Sequence, residues 1–176
     1  MTTHVHAPEA TDLRASVMAL LAAFNEHDVD KLAAMHAPDA VWVDPTLEEP
    51  VVGRDAITRH ASALLRSFPD LRFELDGVRV YIADDHHAAS GWRWTGTMDG
   101  PIDPPGFAPT GKSAVVEGAC LYEFRDGLLA RHQIVFDAMG LLRQVGVMPA
   151  LSSTAAKMTA GLQRTGLRVT HALHHN

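Results

Sequence analysis

The sequence predicts an α+β fold: a cone-shaped half-barrel in which a bent antiparallel sheet wraps around three N-terminal helices, with a C-terminal helical tail. Two observations carry this. Apolar residues recur at helical spacing as far as Phe68, and the period then changes to two from Leu71 onward. The later strand-like stretches follow one another with little between them, so they pair as antiparallel neighbours and leave the helices on one side. The 176 residues make one domain over residues 1–149, followed by a helical or partly ordered tail over 150–176.

Leu13, Val17, Leu20, Leu21 and Phe24 form an apolar stripe, which predicts a first helix over Thr11–Glu26. His27-Asp28-Val29-Asp30 breaks it, and Asp30 can cap a short second helix running through His36. Ala37-Pro38-Asp39 reads as a turn and Ala40–Asp44 as a short strand that Pro45 ends. Gly53-Arg54-Asp55 opens a third helix with the stripe Ile57, Ala61, Leu64, Leu65 and Phe68, and Pro69 stops it. Leu71, Phe73 and Leu75 then alternate with charged residues, but beyond Gly77 the apolar set is Val78, Val80 and Ile82. That parity slip at Asp76-Gly77 predicts one long strand bent by a bulge rather than a hairpin, because Asp84-Asp85 supplies a clearer turn. Three strands follow, His87–Thr97, Ser113–Phe124 and Leu128–Asp137, the last two joined by a tight turn at Arg125-Asp126-Gly127. The proline-rich and glycine-rich Met98–Lys112 reads as a long ordered loop that covers a site. A bent sheet closed by helices at one end leaves an apolar hollow at the other.

The net charge of −6 and the pI near 5.9 disfavour nucleic acid as a partner. The tail carries Lys157, Arg164 and Arg168 and no acid, so the body alone carries −9. A single cysteine, Cys120, excludes an intrachain disulfide, which is compatible with a cytoplasmic location, and no secretory signal is evident. No apolar run reaches the ~18 residues of a membrane span.

Gly106-Phe-Ala-Pro-Thr-Gly-Lys-Ser113 satisfies a phosphate-loop pattern. The pattern works only before a helix, and a strand is expected to follow here. Asp137 closes an apolar strand just before a short helical pattern. It is either a general base at the mouth of the hollow or the cap of that helix. Asp44 shares strand parity with Trp42, so the two face the hollow together, although Asp44 can also fix the turn before Pro45. Trp92 and Trp94 share one face of their strand and can wall a flat apolar ligand. Alternation puts Gln133 on the face of Asp137 and His132 on the opposite one, which favours Gln133 as the polar neighbour of a base. The scattered histidines show no metal-ligand spacing, so no metal is expected. Cys120 reads as a small buried residue, and no Gly-x-Ser-x-Gly elbow is present.

Several segments in order resemble the SnoaL-like polyketide cyclases of the nuclear-transport-factor-two-like superfamily: Phe68-Pro-Asp-Leu71, Thr95-Gly-Thr97 with Gly100, Pro109-Thr-Gly-Lys112, Phe124-Arg-Asp-Gly127, and Asp137 followed by Gly140-Leu-Leu-Arg-Gln-Val-Gly146. They span roughly residues 11–149. The resemblance implies a half-barrel with one deep apolar pocket, no cofactor, and an aspartate at Asp137 that removes a proton α to a carbonyl so that the enolate closes a ring. It also implies a homodimer formed through outer sheet faces. This chain departs from the family at Met98, Gln133 and Phe136. The expected activity is a cofactor-independent cyclase or isomerase acting on a hydrophobic carbonyl compound. The expected site is Asp137, Trp42, Asp44, Trp92, Trp94, Gln133 and His132. The alternatives are a non-catalytic small-molecule binder, or an epoxide hydrolase if Arg93 turns inward.

Overall fold

The computed structural model describes residues 12–149 with residues 153, 154, 157 and 158. The expected course of the 150–176 tail therefore lies almost wholly outside the described residues. Helix α1 (Leu13–Glu26) starts at Asp12, whose carboxylate accepts the Ala15 amide at 3.1 Å. Helix α2 (Val29–Ala34) is capped by Asp28 through the Lys31 amide, not by the expected Asp30, which falls inside its first turn.

Strand β1 (His36–Val43) is longer than the Ala40–Asp44 read from the sequence and includes Pro38, where a turn was expected. Proline is tolerated there because the pairing of β1 with β7 shifts register between His36 and Val41, so no ladder bond is asked of it. After β2 (Val51–Val52), helix α3 (Arg54–Ser67) buries Ile57, Ala61 and Leu65.

Strands β3 (Arg72–Phe73) and β4 (Arg79–Ile82) both pair antiparallel with β5 (His87–Thr97). Phe73 lies opposite Trp94 and Arg79 opposite Gly91, so the expected bend at Asp76-Gly77 is an interruption that slips the register by three residues. An odd slip reverses parity, which is why Phe73 and Val80 are both buried. Strand β6 (Ser113–Arg125) pairs with β5 without a break from Thr97↔Ser113 to His87↔Glu123. Asp126 and Gly127, both at positive φ, turn the chain into β7 (Leu128–Phe136), and α4 (Ala138–Gln144) follows.

The sheet runs β2-β1-β7-β6-β5-β3, with β4 also on β5. Every pairing is antiparallel except β1 with β7, which is parallel and corrects the expectation of a wholly antiparallel sheet. Helices α1 and α3 lie on the concave face, where Val17, Leu20, Leu21, Phe24, Ile57 and Ala61 join Trp42, Trp92, Trp94 and Phe73 in one core. Asn25 brackets the short β3 by accepting the Phe73 amide at 2.6 Å and donating to its carbonyl at 2.9 Å. Ser113, the last residue of the phosphate-loop pattern, opens a strand, so no helix N-terminus meets Gly106–Lys112.

Candidate functional site

A cavity of about 360 Å³ opens between the concave face of the sheet, α1, α3 and α4. Its wall is mainly hydrocarbon and aromatic. Trp42, Trp92 and Trp94 line it as expected, and the 98–112 loop covers one side with Ile102, Pro104, Pro105 and Phe107. Arginine, lysine and glutamate are absent from its wall among the described residues. Arg93 lies on the outer face against Glu74 and Glu117, so an inward-turned arginine for an epoxide-opening relay is not what the fold provides.

The polar groups of the wall gather mainly on two sides, apart from the exposed Asp103 of the 98–112 loop. On one, Asp44 directly follows β1, and its Oδ2 lies 3.1 Å from His60 Nε2 on α3. Its Oδ1 accepts the Thr46 amide at 2.8 Å and the Thr46 hydroxyl at 2.6 Å. Both sequence readings of Asp44 therefore hold at once: it fixes the turn and it faces the cavity. Burial works against its ionisation, but the hydrogen bonds from His60 and Thr46 outweigh that and hold the carboxyl below its ordinary value. An ionised Asp44 only accepts, so His60 Nε2 is the nitrogen that donates to it. The Trp42 ring meets the imidazole edge-to-face at 4.7 Å. His60 was missed in the sequence, although it lies three residues after Ile57 and four before Leu64, on the stripe that α3 buries.

On the other side, Cys120 and Tyr122 of β6 face inward, and the Tyr122 hydroxyl is 2.8 Å from Ser90 Oγ on β5. Burial pushes the Cys120 thiol up to about 12 and the Tyr122 phenol well above its usual range, so both stay protonated. Among the described residues, no group of three or more His, Cys, Asp or Glu side chains is placed to hold a metal ion.

The β7 assignment needs correction. Parity alternates as expected, but His132, Ile134 and Phe136 form the inner face, and Gln133 and Val135 look outward. The physical reason is Arg131: a charged residue marks the solvent face, and Gln133, Val135 and Asp137 share its parity. His132 thus lines the cavity and Gln133 does not. Both His132 ring nitrogens are sealed without a hydrogen-bond partner, and burial holds the imidazole neutral. Its ring packs edge-to-face on Trp42 at 4.4 Å and on His36 at 5.2 Å.

Asp137 is exposed and is the N-cap of α4, its Oδ1 accepting the Gly140 amide at 2.7 Å. A β-carbon at Gly140 would stand 2.5 Å from the other carboxylate oxygen, so the glycine makes room for the cap. Ala138 and Met139 reach the cavity, but Asp137 does not line it. Its capping role prevails over the inward orientation expected of a base.

A family model described as a SnoaL-like domain matches residues 17–132. Among solved structures, a protein from Jannaschia sp. CCS1 assigned as a SnoaL-like polyketide cyclase superposes with a TM-score of 0.69 at 20% identity, covering 84% of this chain and 100% of its own. AclR from Streptomyces galilaeus, assigned as a hydroxylase, gives 0.66 at 24% identity, covering 95% of this chain and 99% of its own. TsrD from Streptomyces laurentii gives 0.63 at 28% identity, covering 77% and 98%. No curated protein matches by sequence. With the half-barrel, its apolar cavity and the matched domain in agreement, the chain belongs to the SnoaL-like family.

Proposed function

We propose that this protein is a cofactor-independent cyclase or isomerase for a hydrophobic carbonyl compound, with His60 as proton acceptor and Asp44 as the group that orients it. The observation that carries this reading is the Asp44–His60 pair at 3.1 Å in the wall of a mainly apolar cavity. His60 Nδ1 takes a proton from the carbon α to the carbonyl, and the electron pair of that C–H bond forms an enolate. Asp44 stabilises the imidazolium produced. The enolate either attacks a second carbonyl of the same molecule, whose oxygen then takes the proton back from the imidazolium, or is reprotonated at another carbon by the same imidazolium, which gives a cyclase or an isomerase. A positioned base of this kind supplies about 10²–10⁴-fold in rate. The enclosing wall adds orientation of a folded substrate.

The inner face of β7 holds no acid, only His132, Ile134 and Phe136. That favours a second reading, a small-molecule binder without chemistry. Incubation with 2-tetralone in heavy water separates the two. A catalyst exchanges the α-protons faster than buffer does, whereas a binder shifts the ketone's resonances without exchanging them.

The proposed assembly is a homodimer through the convex face of the sheet. There the register aligns Tyr81, Ala89, Leu121 and Gln133 in one row, with Tyr81 63% and Leu121 52% exposed. Charged residues of both signs, Arg93, Glu117, Glu123 and Arg131, flank it. Such a face is complementary to a second copy of itself.

A further inference from the structure

One polar pair on the cavity wall is left unused by the proton transfer. Ser90 is 1% and Tyr122 3% exposed, and their hydroxyls share one hydrogen bond at 2.8 Å. Two hydroxyls carry two protons, and one shared bond uses only one of them. Tyr122 lines the cavity and Ser90 lies behind it. When Ser90 donates to the phenol oxygen, the phenol proton is left for Cys120 beside it, a weak sulfur acceptor that lines the same cavity, so a ligand oxygen there is the stronger partner. The opposite orientation leaves a serine proton buried without an acceptor, which is costly.

The register places this phenol relative to the dyad. Tyr122 pairs with His132, and His132 pairs with Trp42, whose ring touches His60. Tyr122 therefore stands two strands from Trp42, about 10 Å along the sheet at ~4.8 Å per strand. A ligand held at both places is elongated or flat, with an oxygen some distance from its reacting carbon.

We propose that Tyr122 is a specificity-determining residue: its hydroxyl, backed by Ser90, donates to a ligand oxygen, so the site selects flat hydrophobic compounds bearing an oxygen over hydrocarbons of the same shape. This rests on the cavity being the ligand site, as in the proposed function.

The test uses 2-naphthol and 2-methylnaphthalene, which differ by a hydroxyl in place of a methyl group, with affinities measured by calorimetry. The full chain prefers 2-naphthol by about three- to tenfold, the range of one hydrogen bond. Tyr122→Phe abolishes the preference and leaves the affinity for 2-methylnaphthalene unchanged, while Ser90→Ala keeps the preference. If Tyr122→Phe does not fold because Ser90 is stranded, the double variant with Ser90→Ala removes both partners and carries the same expectation. A preference that survives loss of the phenol hydroxyl overturns the proposal. Equal affinity of the full chain for both compounds also overturns it, but leaves the cavity reading standing. Binding of neither compound removes the cavity reading along with it.

Discussion

Acidification from pH 7 to pH 5 is expected to destabilise the folded chain through two buried imidazoles. His132 is held well below its usual 6.5 by burial, with His36 and His60 adding to the shift. His36 is lowered chiefly by burial, against which its hydrogen bond to the Leu32 carbonyl works, and Arg54 lowers it further. In the unfolded chain both titrate near 6.5. Below that pH the unfolded state binds protons that the native state refuses, so stability falls as pH falls. Each imidazole contributes at most ~1.4 kcal/mol per pH unit, the pair ~2.7. Asp44 acts elsewhere: its carboxyl is lowered from 3.8, so its stabilisation is present throughout this range and is lost only at more acidic pH. Urea unfolding followed by tryptophan fluorescence at pH 7, 6 and 5 measures the slope. His132→Phe removes a pair of unsatisfied ring nitrogens, so it should be no less stable at pH 7 and should show about half the pH dependence. A parent protein whose stability is flat across this range, or a variant with the parent's slope, refutes the reasoning.

Three further outcomes are expected. Gly118→Ala places a β-carbon 2.5 Å from Trp92 Cζ2 and 2.6 Å from the Val135 carbonyl oxygen. The ring can move but the carbonyl cannot, so thermal unfolding should show a loss of about 1–3 kcal/mol together with weaker 2-naphthol binding. Asp137→Ala removes the α4 cap and should cost ~1 kcal/mol in urea unfolding while α-proton exchange of 2-tetralone continues at the parent rate. Leu121→Glu on the convex face should convert the proposed dimer to a monomer in sedimentation without changing the far-ultraviolet circular dichroism.

The inward positions of β5 were legible because a long alternating strand fixes parity over many residues, so Trp92 and Trp94 fell where alternation puts them. Asp44 was legible for the same reason through Trp42. The face of β7 is not legible from the acid at its end, which points inward only if it is a base, whereas Arg131 at the other end marks the solvent side. Asp137 itself shows why: local capping and a distant pocket compete for one carboxylate, and the Gly140 amide three residues on is always within reach. His60 stayed hidden because its partner Asp44 is 16 residues away, and only the packing of α3 on β1 brings them together. Pro38 misled for a related reason, since whether a proline breaks a strand depends on a ladder partner that sequence does not display.

In the proposed mechanism His60, and not Asp137, moves the proton. The most direct measurement compares α-proton exchange of 2-tetralone in heavy water by the parent protein, His60→Gln and Asp137→Asn. A loss of about 100-fold or more is expected for His60→Gln and parent-like exchange for Asp137→Asn. Parent-like exchange by His60→Gln with loss in Asp137→Asn would contradict it.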